Sequence, residues 1–232
     1  MIAESSYRDR GARGMLPIGV LSRCKRAEGK LAPQDSRWSL TEPRAWRELC
    51  FCLLSPVTRF EAVRSCMLRL ESHGILDRLS SGPLDVRLEE IRRVLAARPG
   101  GCRFPGAKAE RLRRAGVFFY TDPSLGGVLG FLGCHPSTLD ARKALVDFVP
   151  GLGMKEASHF LRNVGRGRDL AILDVHVRRF LAEMRVVDME TAASASMASY
   201  MKMEKALGSV AFNAGLELGA LDMAIWEFMR AR

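Results

Sequence analysis

Lys155 and Asp174, nineteen residues apart, are the two side chains whose positions suit covalent and electrostatic chemistry. Lys155 follows Gly153 by two residues, where a helical pattern begins after a glycine-rich turn. The positive end of the helix dipole lies there, which favours the neutral, nucleophilic form of an amine. Such an amine can attack an electrophilic carbon and hold it as a Schiff base. Asp174 precedes a second helical pattern, so it suits an N-cap as well as a catalytic role.

Two helices joined by a tight turn must position Lys155. Pro150, Gly151 and Gly153 interrupt the chain between them. Glycine adopts positive φ and lets a ligand approach the backbone, and the free amides of a helix start suit a phosphate. The pattern predicts a helix-hairpin-helix element that binds the DNA backbone through Gly151 and Gly153. The apolar residues that predict the helices are Leu139, Leu145, Val146 and Val149 before the turn, and Ala157, Phe160, Leu161 and Val164 after it.

The hairpin and the residues after it resemble a known family. Gly-Leu-Gly-Met-Lys155, followed by Leu-Asp174-Val-His176, resembles the lyase-competent branch of the helix-hairpin-helix DNA glycosylases. The stretch Lys155-Glu-Ala-Ser-His-Phe-Leu-Arg-Asn163 is similar to the second, archaeal-type subfamily of 8-oxoguanine DNA glycosylase/lyases. Glu48 to Leu54 and Arg103 to Arg111 resemble other stretches of that subfamily, and the resemblance covers Trp38 to Trp226.

The resemblance implies an enzyme of base excision repair, a bifunctional DNA glycosylase and AP lyase. Such an enzyme excises 8-oxoguanine through a lysine Schiff base and cleaves the strand 3′ to the abasic site by β-elimination. The resemblance assigns the role of the nucleophile to Lys155. Asp174 is then expected to stabilise positive charge at the sugar while it also caps its helix.

The resemblance further implies the residues that hold the DNA and the damaged base. The loop Ser55-Pro-Val-Thr58 is expected to face the DNA, where a Gln or Asn would fill the gap left by the flipped base. This sequence offers only Ser55 and Thr58 there. The expected site residues are His176 and Arg103 for the DNA backbone, together with Gly151 and Gly153, and Asp222 and Trp226 for the base pocket.

The periodicity predicts an all-α fold of two helical lobes, with the helix-hairpin-helix at the DNA-binding cleft. No segment alternates as a strand does. Residues 1–35 are rich in Arg, Lys, Gly and Ser and predict a flexible basic N-terminal arm. Residues 36–232 are then the glycosylase domain.

The composition favours a polyanionic partner, because the net charge is +10 over 232 residues. We expect double-stranded DNA with a damaged base as that partner. No apolar run approaches the ~20 residues of a membrane span. We therefore expect no association with a membrane. We further expect a monomer in the cytoplasm of a prokaryote, associated with the nucleoid.

The six cysteines predict neither a metal site nor a cofactor. None forms a CxxC pair, and none follows Cys134, so an iron–sulfur cluster near the C-terminus is not expected. They are expected to be reduced and mostly buried. Two alternatives stay open: the same fold acting on another damaged base, and a helix-hairpin-helix module that binds DNA without catalysis.

Overall fold

The structure is a computed structural model that describes residues 16–31 and 40–232. Those residues form thirteen α-helices and no strand, which confirms the all-α prediction. None of these helices is long and apolar enough to cross a membrane. The helices are α1 Ile18–Lys30, α2 Glu42–Leu54, α3 Phe60–Ser72, α4 Ile75–Ser81, α5 Leu88–Ala96, α6 Pro105–Tyr120, α7 Gly127–Gly133, α8 Thr138–Phe148, α9 Met154–Asn163, α10 Val175–Glu183, α11 Met189–Ala193, α12 Met197–Asn213 and α13 Leu218–Arg230.

The chain divides into two compact units, in line with the expectation of two helical lobes. One unit lies within Ser36–Phe160, and we call it the hairpin unit. The other unit joins Leu161–Arg232 to the described part of Met1–Asp35, and we call it the capped unit.

Helix α2 organises the interior of the hairpin unit. The Trp46 indole donates to the carbonyl of Leu76 at 3.0 Å and meets the ring of Tyr120 edge to face. The Glu42 carboxylate accepts from the amides of Val128 and Leu129 at 2.7 and 2.8 Å, and so caps the N-terminus of α7. Because these amides have no partner within their own helix, one carboxylate of α2 fixes the position of α7.

Helix α1 corrects the prediction of a flexible arm for residues 18–30. Val20, Cys24 and Ala27 line one face of α1 and are buried. The Glu227 carboxylate of α13 accepts from Arg26 at 2.9 Å and from Lys30 at 2.6 Å. The helix forms because it buries an apolar stripe against α13, a partner that lies far away in the sequence. Residues 1–15 and 32–35 of the predicted arm lie outside the described residues.

Candidate active site

The predicted glycine hairpin joins α8 to α9. Val149 and Leu152 are buried and anchor the turn. Gly151 has a φ of +98°, and a Cβ at this position would lie within 2.8 Å of Arg111 Nε. Gly153 is exposed, and its carbonyl accepts the Ala157 amide at 2.9 Å, so it is the residue before the first turn of α9. Glycine at 151 is thus required both for the backbone conformation and for the close approach of α6.

Lys155 is the second residue of α9, as the sequence predicted. Its side chain is partly exposed, and its Nζ lies 3.4 Å from Glu156 Oε1. The buried thiol of Cys52 on α2 is close enough for the Lys155 charge to act on it. Burial raises the pKa of Cys52, the Glu48 carboxylate raises it further, and the Lys155 ammonium lowers it. The amine therefore lies at a helix start beside the Glu156 carboxylate.

Asp174 is the N-cap of α10, which confirms the structural half of its prediction. Its Oδ1 accepts the amides of His176 at 2.9 Å and of Val177 at 3.0 Å. Both capping bonds end on the same oxygen, so the cap does not use Oδ2. The cap therefore fixes the orientation of the carboxylate and leaves Oδ2 outside the capping bonds.

The extended segment that leads to Asp174 is held by side chains of α12. The Ala171 amide donates to the buried Glu204 carboxylate at 3.0 Å. The Tyr200 hydroxyl donates to the Ala171 carbonyl at 2.7 Å and accepts the Leu173 amide at 3.3 Å. These side chains therefore give hydrogen-bond partners to backbone groups that lie outside any helix.

His176 and Arg103, the predicted backbone contacts, lie in different units. His176 is half-buried in the first turn of α10. Arg103 is exposed just before α6, and its guanidinium lies 5.2 Å from the centre of the Phe104 ring. Their contacts with DNA stay predictions.

Asp222, predicted for the base pocket, is buried within the capped unit, and its contact with a damaged base stays a prediction. Its side chain is 2% exposed, and its Oδ2 lies 2.6 Å from the Arg162 guanidinium. Burial raises the pKa of Asp222 to about 6, although Arg162 lowers it and the Asp174 charge raises it slightly further. Trp226 is half-buried, with the Arg230 guanidinium 4.7 Å from its ring centre. Asp222 is therefore a buried ion-pair partner, whereas Trp226 keeps an accessible surface.

Two exposed apolar residues of the hairpin unit have strained backbones, which no pattern in the sequence indicated. Val57 is 65% exposed with φ 55°, and Phe104 is 59% exposed with φ 54°. Positive φ is costly for both residue types and is found where the surroundings enforce it. A buried lysine provides that restraint for the loop of Val57. Lys108 Nζ donates to the carbonyls of Leu54 at 2.5 Å and Pro56 at 3.1 Å and to the Thr58 hydroxyl.

The described part of the chain is helical without strands, and a glycine hairpin precedes a helix that carries a lysine. This arrangement is typical of the helix-hairpin-helix class of DNA-binding proteins. A profile of the Ogg-HhH family, 8-oxoguanine DNA glycosylase, matches residues 30–216. The 8-oxoguanine DNA glycosylase/AP lyase of Metallosphaera sedula is 32% identical over 184 residues, 79% of this chain and 81% of that protein. The chain belongs to the 8-oxoguanine DNA glycosylase family.

Further relatives extend this similarity to a solved complex. The 8-oxoguanine DNA glycosylase/AP lyase of Aquifex aeolicus is 34% identical over 184 residues, 77% of this chain and 73% of that protein. The crystal structure of the Methanocaldococcus jannaschii 8-oxoguanine glycosylase/lyase in complex with a 15mer DNA containing 8-oxoguanine matches with a TM-score of 0.67. The identity to that chain is 27%, and the match covers 92% of this chain and 90% of the other.

Proposed function

We propose that this protein is a bifunctional DNA glycosylase and AP lyase that excises 8-oxoguanine from double-stranded DNA. The observation that carries the proposal is Lys155 in the first turn of the hairpin helix, together with Asp174 as the N-cap of α10. The names of its relatives support the substrate and both activities. Acting on chromosomal DNA, it would work as a monomer on the nucleoid of a prokaryotic cell.

Lys155 is the nucleophile of this proposal. Its neutral amine attacks C1′ of the damaged nucleotide, so that a bond between Nζ and C1′ forms while the bond to the base breaks and the base leaves with a proton. The sugar ring then opens to a Schiff base. Loss of a proton from C2′ expels the 3′ phosphate and cleaves the strand. The Glu156 carboxylate, 3.4 Å from Nζ, holds the side chain at the helix start before DNA binds.

Asp174 supplies the negative charge that this reaction requires. The bond from sugar to base breaks through a transition state with positive charge at C1′. A carboxylate held in place stabilises that charge without reorganising, which is worth about 10²–10³ in rate for a single group. Because both capping bonds use Oδ1, the charge at Oδ2 is available while the cap stays intact.

The DNA backbone is held by the hairpin in this proposal. The amides near Gly151 and Gly153 and the N-terminus of α9 receive a phosphate, with His176 and Arg103 as further contacts. A net charge of +10 adds sequence-independent attraction. Affinity for undamaged duplex should therefore fall linearly with salt on logarithmic axes.

The damaged base must leave the stack and find an apolar surface. Trp226 offers such a surface in the capped unit and Phe104 in the hairpin unit. Val57 replaces the expected Gln or Asn, because it is the exposed apolar tip of its loop, and apolar side chains enter DNA as wedges at several protein–DNA interfaces. Trp226→Ala is expected to lower excision of 8-oxoguanine about 10-fold or more while cleavage of an abasic site survives.

Borohydride trapping tests the proposal. Duplexes that each carry one defined lesion are incubated with the protein and quenched with borohydride, and the covalent adduct is measured. Wild type should trap on 8-oxoguanine, and Lys155→Gln should bind the same duplex without trapping or releasing the base. Lys143→Gln is the matched control, because Lys143 is 75% exposed on α8 and, among the described residues, pairs only with Asp147. Trapping by the Lys155 variant would refute the assignment, and preference for another lesion would favour the alternative substrate.

A further inference from the structure

Cys66 of α3 and Cys102, which lies just before α6, are in direct contact through their sulfur atoms. The Cys102 thiol donates to Cys66 Sγ at a sulfur–sulfur distance of 2.8 Å. Both residues are buried. A disulfide bond is about 2.05 Å long, so the sulfurs need to move by less than about 1 Å to become bonded.

The surroundings of the pair are electropositive. The Arg69 guanidinium lies 3.3 Å from Cys66 Sγ, and its other bonds go to the hydroxyl of Ser65 and to the backbone carbonyls of Val94, Pro99 and Gly100. Its hydrogen-bond partners in the described chain therefore include no carboxylate, and an ionised Cys66 would be its counter-ion. Lys108 lies close enough to Cys102 to favour that residue's thiolate as well.

These contacts make the two thiols differ in pKa and therefore in reactivity. The hydrogen bond from Cys102 is the main cause that lowers the pKa of Cys66 to about 7, and the charge of Arg69 lowers it further against the effect of burial. The same hydrogen bond and burial raise the pKa of Cys102. A thiolate beside a cation is the reactive form of cysteine, so Cys66 is the attacking sulfur and Cys102 the resolving one.

We propose that Cys66 and Cys102 form a reversible redox pair, which closes to a disulfide when a hydroperoxide oxidises Cys66. The Cys66 thiolate attacks one oxygen of hydrogen peroxide and, with one proton taken up, becomes a sulfenic acid as water leaves. The Cys102 sulfur then attacks the sulfenic sulfur, and a second water leaves. Two thiols and one hydrogen peroxide thus give one disulfide and two waters, and a reducing thiol reverses the step.

The bond would tie α3 to the segment that leads into α6. Cys102 directly precedes Arg103 and the strained Phe104, and the Gly100 carbonyl before it is already bonded to Arg69. The cross-link closes a loop of about 35 residues, which restricts the unfolded chain. Disulfides of proteins in reducing compartments are typically transient and redox-sensing, as this one would be. Formation of this bond does not require the proposed catalytic role of Lys155.

Thiol counting with peptide mapping tests the inference. The native protein is treated with hydrogen peroxide, unfolded in the presence of an alkylating reagent, and analysed by mass spectrometry. Six free thiols should fall to four, with one peptide cross-link between Cys66 and Cys102. The thermal midpoint should rise by roughly 5–10 °C and return after treatment with dithiothreitol.

Three variants separate the pair from the other thiols. Cys66→Ser should keep its five remaining thiols at low peroxide and show no rise in thermal midpoint. Cys102→Ser should accumulate sulfenic acid at Cys66, detected as a dimedone adduct. Cys24→Ser, which changes a buried thiol in the capped unit, should respond as wild type does. Six thiols remaining in the oxidised wild type, or a cross-link between other cysteines, would overturn the inference. Borohydride trapping by the reduced protein tests the proposed function separately, so neither outcome of the thiol assay bears on it.

Discussion

The buried pair of Arg162 and Asp222 gives a prediction whose size can be worked out from the structure. The side chains are 9% and 2% exposed, and 2.6 Å separates the guanidinium from the carboxylate. The same nitrogen donates to the Leu170 carbonyl at 3.0 Å. Arg162→Met keeps most of the aliphatic stem but leaves Asp222 buried without its cation. Removing one partner of such a pair costs about 3–5 kcal/mol of unfolding free energy.

The cost of Arg162→Met should depend on pH in a defined direction. Burial already raises the pKa of Asp222 to about 6, and the loss of Arg162 must raise it further, because Arg162 lowers it. The folded variant therefore binds a proton that wild type does not hold between pH 6 and the new pKa. As pH falls through this window, the difference in stability between variant and wild type should shrink by up to about 1.4 kcal/mol per pH unit.

Urea unfolding at pH 8, 7 and 6, followed by tryptophan fluorescence and circular dichroism, measures this difference. The double variant Arg162→Met with Asp222→Leu has no buried charge, so it should be more stable than Arg162→Met at pH 8 and should lack its dependence on pH. Arg168→Met is the control, because its pair with Glu217 is about 40% exposed and should contribute under about 1 kcal/mol. If the single variant is no less stable than the double variant at pH 8, the reasoning is refuted.

Three further predictions concern the site. Asp174→Asn should retain both capping bonds and stay within about 1 kcal/mol of wild-type stability, while single-turnover excision falls about 10²–10³-fold; excision within a few-fold of wild type would leave only the cap. Lys108→Met should cost about 2–3 kcal/mol in a thermal melt, because two carbonyls and a hydroxyl lose a cationic donor; an unchanged melt would contradict this. Gly151→Ala should weaken duplex binding in a titration, because its Cβ meets Arg111, whereas Gly165→Ala, also at positive φ but facing open space, should strain the backbone without changing affinity.

Most of the helical fold could be predicted because its signals are local. Apolar residues repeat at helical spacing over long stretches, and Pro or Gly marks many of the ends, as Pro43 does near the start of α2 and Gly74 after the end of α3. Helix α1 was missed for the opposite reason. Its apolar stripe of Val20, Cys24 and Ala27 is narrow among basic residues, and only the contact with α13 makes it stable.

The same distinction applies to the local positions of the predicted site residues, whose functional roles stay predictions. Lys155 and Asp174 are fixed by neighbours in the sequence, one by the glycine hairpin and the other by its capping bonds. Asp222 is fixed by Arg162, which is 60 residues away in the sequence, so helical spacing alone could not reveal its burial. The strained tip at Val57 depends in the same way on Lys108, 50 residues from Thr58. Tertiary partners of this kind leave no periodic signal.

The buried pair also explains how a second carboxylate can lie near Asp174 without opposing its proposed role. A bare charge at Asp222 would repel Asp174, and that repulsion is evident because the Asp174 charge raises the pKa of Asp222. Arg162 neutralises Asp222, so the pair adds little net charge beside Asp174. Arg162 also binds the Leu170 carbonyl at the start of the segment that ends at Asp174. The Arg162–Asp222 pair therefore supports the segment that leads to Asp174, and a contact of Asp222 with the damaged base stays a prediction.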